Sequence, residues 1–170
     1  MLWIKFIKSL ISLLHSEVSP NQIAGGVALG AIVGLAPFSA FHSFLVIFLI
    51  LLVQVNIGAA TFGAGIFTLV GLALDPIANR IGFYLLVDKE SLTPMWTYLY
   101  NLPIVPFTRF YNTAVLGNFV LSLILFVPVF FAVKIFIVQY RAKFQQRVEK
   151  WKIMKMFKLS SFYKFYEQYK

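Results

Sequence analysis

Cysteine is absent from the 170 residues. That excludes a disulfide framework and any thiolate metal site. Acidic side chains are scarce, with six Asp and Glu against fifteen Lys and Arg. Histidine occurs only as His15 and His42, too few for a metal-ligand pattern. No glycine-rich phosphate loop and no nucleophile elbow is present. The glycines lie inside apolar segments instead. No cofactor or metal is therefore expected, and catalysis finds little support.

Charge is also missing over long stretches. No Asp, Glu, Lys or Arg occurs from Val18 to Leu74, nor from Phe110 to Val133. Overall 60% of residues are hydrophobic and 12% charged, whereas a soluble domain carries about 25% charged residues. A helix crosses a bilayer with about 20 apolar residues. The first run has room for two or three passes and the second for one. The expected class is an all-α, polytopic membrane protein with about four membrane helices, an interfacial N-terminal helix and a basic amphipathic C-terminal helix.

The charge that is present is polarised. Net charge is +9, and ten of the fifteen basic residues lie between Lys134 and Lys170, with Lys5 and Lys8 near the start. Basic residues flanking membrane segments stay cytoplasmic. Both ends are therefore expected on the cytoplasmic side, with an even number of crossings. Residues 1–18 are expected to be retained: Lys5 and Lys8 interrupt the apolar core a signal peptide would need. Leu2, Phe6, Leu10 and Leu13 form one face of an amphipathic helix that either lies at the interface or packs on the protein's own core.

Local signals divide the membrane domain, residues 19–139. Ser19, Pro20 and Gln22 make a capping box with proline at the first helical position. The helix they open runs to about Leu35 and stops at Pro37. Gly26, Gly30 and Gly34 recur every four residues, giving a face that another helix can approach closely. Phe41 to Val55 is a second apolar helix, ending near Asn56, itself a candidate cap. Both helices are short for a span. They form either two tilted crossings or a re-entrant hairpin turning between Pro37 and His42, which needs protein or water around the turn. A third apolar helix, Ile57 to Leu74, carries Gly63 and Gly71 and is expected to break at Asp75-Pro76. Ile32 to Pro37 echoes Leu69 to Pro76, the kind of paired interruption that points to a repeat-built transporter.

Residues 88–108 are the polar interval. Thr93-Pro94 starts a short helix through Asn101, whose Trp96, Tyr98 and Tyr100 suit a membrane interface. The last span, residues 110–138, holds Pro128, where a kink is expected. In the tail, residues 140–170, Phe144, Val148 and Trp151 follow helical spacing. Arg141, Lys143, Arg147, Lys150, Lys152 and Lys155 surround them, forming with Lys5 and Lys8 a surface for anionic lipid headgroups. A docking surface for a cytoplasmic protein is the alternative. Nucleic acid is not expected, because positive-inside retention already explains the charge.

His42, Asn56, Asp75, Asn79 and Arg80 are the candidate intramembrane polar residues. Each has a structural alternative. His42 can bond a free carbonyl of the broken helix. Asp75 before Pro76 reads as an N-cap. Asn79 lies four residues after Asp75 on the same helical face. Arg80 suits a lipid phosphate or a buried pair.

The pattern Ser19-Pro20-x-x-Ile23-Ala24-x-Gly26-Val27-Ala28-x-Gly30, with Pro37, His42 and Asn56, resembles a bacterial inner-membrane family catalogued as domain of unknown function 2062. The resemblance covers about Pro20 to Val87 and implies an inner-membrane location without supplying an activity. The chain departs from the family at Ala40, where glycine is common, and at Asp75-Pro76, where Asn-Pro is frequent. Some members similar in length stand beside large envelope proteins of the lipid-bridge type. That implies a non-enzymatic role in envelope lipid transport, exerted through an envelope protein partner or a homo-oligomer. A small secondary transporter with its site between the glycine helices is the alternative, and an intramembrane enzyme the third.

Overall fold

A computed structural model of the protein describes residues 18–37 and 40–143. The calls on the N-terminal helix, including Lys5 and Lys8, fall outside the described residues. So do those on Arg147, Lys150, Trp151, Lys152 and Lys155. Within the described residues the chain is helical and has no strand.

The first helix, α1 (Pro20–Leu35), begins as its capping box requires. The Ser19 hydroxyl accepts from the Gln22 N–H, and the Gln22 side chain accepts from the Ser19 N–H, each at 3.3 Å. It ends because Pro37 forces Ala36 into an extended conformation (φ −85°, ψ 149°). A tight turn leads into α2 (Phe41–Leu52). The Pro37 carbonyl accepts both the Ala40 N–H, at 3.0 Å, and the Ser43 hydroxyl, at 2.9 Å.

The third helix, α3 (Ile57–Phe83), starts with Asn56, whose side chain accepts from the Ala59 N–H at 2.7 Å. The Asn56 N–H donates to the Gln22 carbonyl at 3.1 Å, so α2 returns to the level where α1 began. The helix runs on into a π-helical turn, Tyr84–Asp88. It does not break at Asp75-Pro76: Pro76 lies inside one continuous helix. The reason is tertiary. Before Pro76, α3 is held against α1 at Thr68; after it, against α5 at Ala78 and Gly82. Proline removes one backbone donor, and clamping on both sides preserves the helical path. The echo with α1 is therefore not structural, since one copy ends a helix and the other continues it. A short helix, α4 (Thr93–Tyr100), and a 3-10 turn (Val105–Thr108) lead to α5 (Thr113–Lys143). The last helix starts three residues later than expected and runs unbroken through Pro128.

Packing follows the small residues. At about 1.5 Å per residue, α1 and α2, with 16 and 12 residues, reach about 24 and 18 Å, short of a hydrocarbon core of about 30 Å. The longer α3 and α5 are apolar and long enough to cross it. Twelve of the sixteen residues of α1 are buried, so α1 is the centre around which α3 and α5 pack. It runs parallel to α3: a Cβ at Gly26 would meet the Asn56 carbonyl at 2.6 Å, and one at Gly30 or Gly34 would strike the Ala60 or Ala64 carbonyl. Gly63 answers from α3, facing the Val27 carbonyl at 2.6 Å. Gly71 is looser, with the flexible Leu35 side chain at 3.4 Å. Antiparallel α5 closes on α3 through Gly82 against Thr113 and Gly117 against Ala78. At its far end Ile137 joins Ile23, Val27 and Ala59, and the Arg141 guanidinium donates to the Val18 carbonyl at 2.9 Å.

The outside stays apolar. Only 22% of the most hydrophobic window of α3, and 11% of that of α5, is buried. The core helix of a soluble protein would be mostly covered. On α2, Phe44, Phe48, Leu51 and Leu52 are all more than half exposed.

Replacing Gly30 with Ala should lower stability by about 1–3 kcal/mol through overpacking against fixed backbone. Gly65, with nothing within 4 Å of an added Cβ, should gain up to about 1 kcal/mol as Ala from helix propensity. Thermal unfolding of the purified protein in detergent measures both. Equal effects at the two positions would contradict the seam.

Candidate membrane-embedded polar site

The polar residues at depth do not form one cluster. They divide between the α3–α5 contact and the tip of the α1–α2 hairpin, and adjacent residues of α5 connect the two groups.

On α3, Asp75 is not an N-cap, because the helix does not start there. Its carboxyl accepts instead from the Asn118 side-chain amide at 2.8 Å. One turn later, Asn79 accepts from the Thr113 hydroxyl. Residues 75 and 79, four apart on one helix, meet 118 and 113, five apart on an antiparallel neighbour. Two interhelical hydrogen bonds thus lie beside the glycine contacts at Gly82 and Gly117, where the backbones come close enough for short side chains to meet. Arg80 is exposed and, among the described residues, makes no ion pair with Asp75. Asn56 stays with its own helix as a cap.

At the hairpin tip, His42 is 7% exposed and Ser43 fully buried. The His42 ring lies 4.7 Å from that of Phe119, tilted by 47°, and it is within hydrogen-bonding reach of the Thr108 backbone. Among the described residues its Nε2 has no partner, and neither has the Oδ1 of Asn118. No hydrogen bond joins His42 to Asp75. They are linked only through Asn118 and Phe119.

Between the end of α1, α3 and α5 lies a cavity of about 260 Å³, lined by Pro37, Thr68, Gly71, Asp75 and Asn118 among others. The glycine seam itself is closed: Gly26, Gly30 and Gly34 touch α3 backbone directly. Hydroxyls nearby are occupied. Thr61 and Thr68 donate to the carbonyls four residues earlier, at 3.0 and 2.9 Å, and Ser122 to the Phe119 carbonyl at 2.7 Å. Among the described residues, no three His, Asp or Glu side chains come together as a metal site would need.

At the opposite end from Val18 and Arg141, aromatics tie α4 to the segment that leads into α5. The Trp96 indole donates to the Leu85 carbonyl at 2.8 Å and stacks on Phe110 at 5.6 Å, while Tyr100 meets Tyr111 edge-on at 5.7 Å.

Sequence reasoning missed Asn118, Thr113, Ser43, Gly82 and Gly117. Asn118, in the middle of the apolar part of the uncharged run at 110–133, was one available signal. The spacing of Ala78 with Gly82, matched by Thr113 with Gly117, was another.

The chain matches a family described as uncharacterised proteins conserved in bacteria, domain of unknown function 2062, over residues 5–146. It belongs to that family. The match extends beyond the stretch carrying the sequence resemblance and takes in the polar interval and the last span. One relative within reach of this family member is an uncharacterised protein of Treponema pallidum (strain Nichols), 26% identical over 138 residues, covering 81% of this chain and 85% of that protein. No solved structure matches the chain.

A double-mutant cycle between Asp75→Ala and Asn118→Ala should give a coupling of about 0.5–1.5 kcal/mol, the range for interhelical hydrogen bonds in membranes. Reversible unfolding in bicelles measures it. Simple additivity would mean that the bond contributes nothing.

Proposed function

We propose that this chain is a multi-pass protein of the bacterial inner membrane that assists the transport or organisation of envelope lipid without catalysing a reaction, acting with a protein partner or a second copy of itself. The observation carrying this reading is the division of its surfaces. Polar groups at depth are spent on joining α3 to α5 and on closing the hairpin turn. The outward surface of α2, α3 and α5 is broadly apolar, interrupted on α3 by the exposed Asp75, Asn79 and Arg80, and it suits lipid tails and other helices. Short α1 and α2 support a hairpin that enters from one side and returns. Such short elements favour local thinning of the bilayer. Arg141 and Lys143 stand at the end of the last helix, supporting a cytoplasmic placement of that end against anionic headgroups.

A small transporter is the second reading. The cavity beside Asp75 and Asn118 favours it, and the closed glycine seam weighs against it.

Affinity purification in mild detergent, with mass spectrometry of associated proteins and lipids, tests the proposal. Capture of a large envelope protein in stoichiometric amount is expected. Asp75→Asn and His42→Ala should retain it, and Gly30→Leu should lose it. A clean homo-oligomer without a protein partner, together with transport lost in Asp75→Asn, would replace the first reading by the second.

A further inference from the structure

The cavity of about 260 Å³ between the end of α1, α3 and α5 is lined by groups that accept hydrogen bonds. Asp75 lines it and is exposed. One carboxylate oxygen, Oδ1, accepts from the Asn118 amide at 2.8 Å. The other oxygen has no hydrogen bond among the described residues. Asn118 also lines the cavity, and it is only 5% exposed. Its nitrogen faces the carboxylate, so its oxygen is left to find a donor, and no described residue supplies one. The Thr68 hydroxyl gives its proton to the Ala64 carbonyl at 2.9 Å, which leaves only its lone pairs.

The backbone adds to this. Gly34, Leu35 and Ala36 bring the C-terminal end of α1 to the cavity. The last carbonyls of a helix have no donor within it, and Pro37 has no N–H to offer. That end is also the negative pole of the helix dipole. The first turn of α5 stands at the same cavity, but Asn112 already caps it. The Asn112 side chain accepts from the Val115 N–H at 3.1 Å, and its carbonyl accepts from the Leu116 N–H at 2.9 Å. Among the described residues no Lys or Arg lines the cavity.

We infer that this cavity holds a primary ammonium group, that of an aminophospholipid headgroup, against the Asp75 carboxylate. The inference rests on the lipid-handling reading above and adds the headgroup class. A carboxylate among apolar side chains is costly unless it is paired. An ammonium brings one positive charge and three N–H donors to a wall made of acceptors. Position favours a lipid as its source. The cavity lies at the far end of α1, a helix of 16 residues, about 24 Å from where it begins. That is near the edge of a hydrocarbon core of about 30 Å. Leu72, one turn before Asp75, is 72% exposed and gives an acyl chain an apolar path along α3.

The test uses the full chain in mild detergent and native mass spectrometry, with phosphatidylethanolamine and phosphatidylcholine of matched chains as probes. Both are zwitterionic, but only the first has N–H donors on its nitrogen. Asp75→Asn keeps an oxygen for the Asn118 amide and removes the charge. Arg80→Gln removes the neighbouring exposed cation as a control. The preference for phosphatidylethanolamine should fall about tenfold in Asp75→Asn, the scale of one hydrogen bond to a charged group, with the folded state retained in thermal unfolding. It should be unchanged in Arg80→Gln. An unchanged preference in Asp75→Asn overturns the inference, as does equal binding of the two lipids by the unaltered protein. Displacement of the lipid by equimolar free ethanolamine overturns the lipid source, because the acyl chains would then contribute nothing. Partner capture from the same preparations separates the two claims. Capture with no headgroup effect sinks only the ammonium site, whereas a headgroup effect without capture sinks only the wider reading.

Discussion

The close approach of α1 to α3 is the constraint on which the other packing depends. Gly26, Gly30 and Gly34 put bare backbone against the α3 carbonyls from Asn56 to Ala64. In a lipid environment no hydrophobic force drives helix to helix, so contact area gained at short range has to hold the pair. Because α1 and α3 run parallel, the chain between them must return along the whole length of α1. That is why α2 exists as a peripheral element, and why Asn56 ends beside Gln22. With α1 enclosed, α5 can lie across both neighbours, and its end reaches Val18. One seam of small residues thus places the two ends of the described chain together.

A second constraint is the handling of polar groups at depth. Several are engaged in specific pairings, whereas the His42 Nε2 has no partner among the described residues. Ser43 closes the hairpin turn, Asn118 reaches Asp75, and Thr113 reaches Asn79. Such pairings fix register, while Asp75, Asn79 and Arg80 stay exposed among the apolar side chains of α3. A protein built this way offers the membrane a broad apolar exterior and keeps its few polar features at defined places.

Much of this was legible from local pattern. The Ser19–Gln22 capping box, the stop at Pro37 and the cap at Asn56 depend on neighbours within a few residues, so the sequence alone determines them. The four-residue glycine spacing marked a face, and that face is where α3 lies. Pro76 misled because its effect on the helix was decided by clamps from α1 and α5. Asp75 misled for a related reason: its partner, Asn118, is 43 residues away. Gly82 and Gly117 become contacts only once α3 and α5 are set antiparallel.

The return of α2 to the starting end is the central structural claim, and the absence of native cysteine makes it directly measurable. Single cysteines at Asn21, Gln54, Thr93 and Lys143, all exposed, can be labelled with a membrane-impermeant maleimide in intact cells and in inverted vesicles. The account predicts that Asn21, Gln54 and Lys143 label from one side and Thr93 from the other. Labelling of Gln54 from the side of Thr93 would contradict it, because α1 and α2 would then no longer form a hairpin.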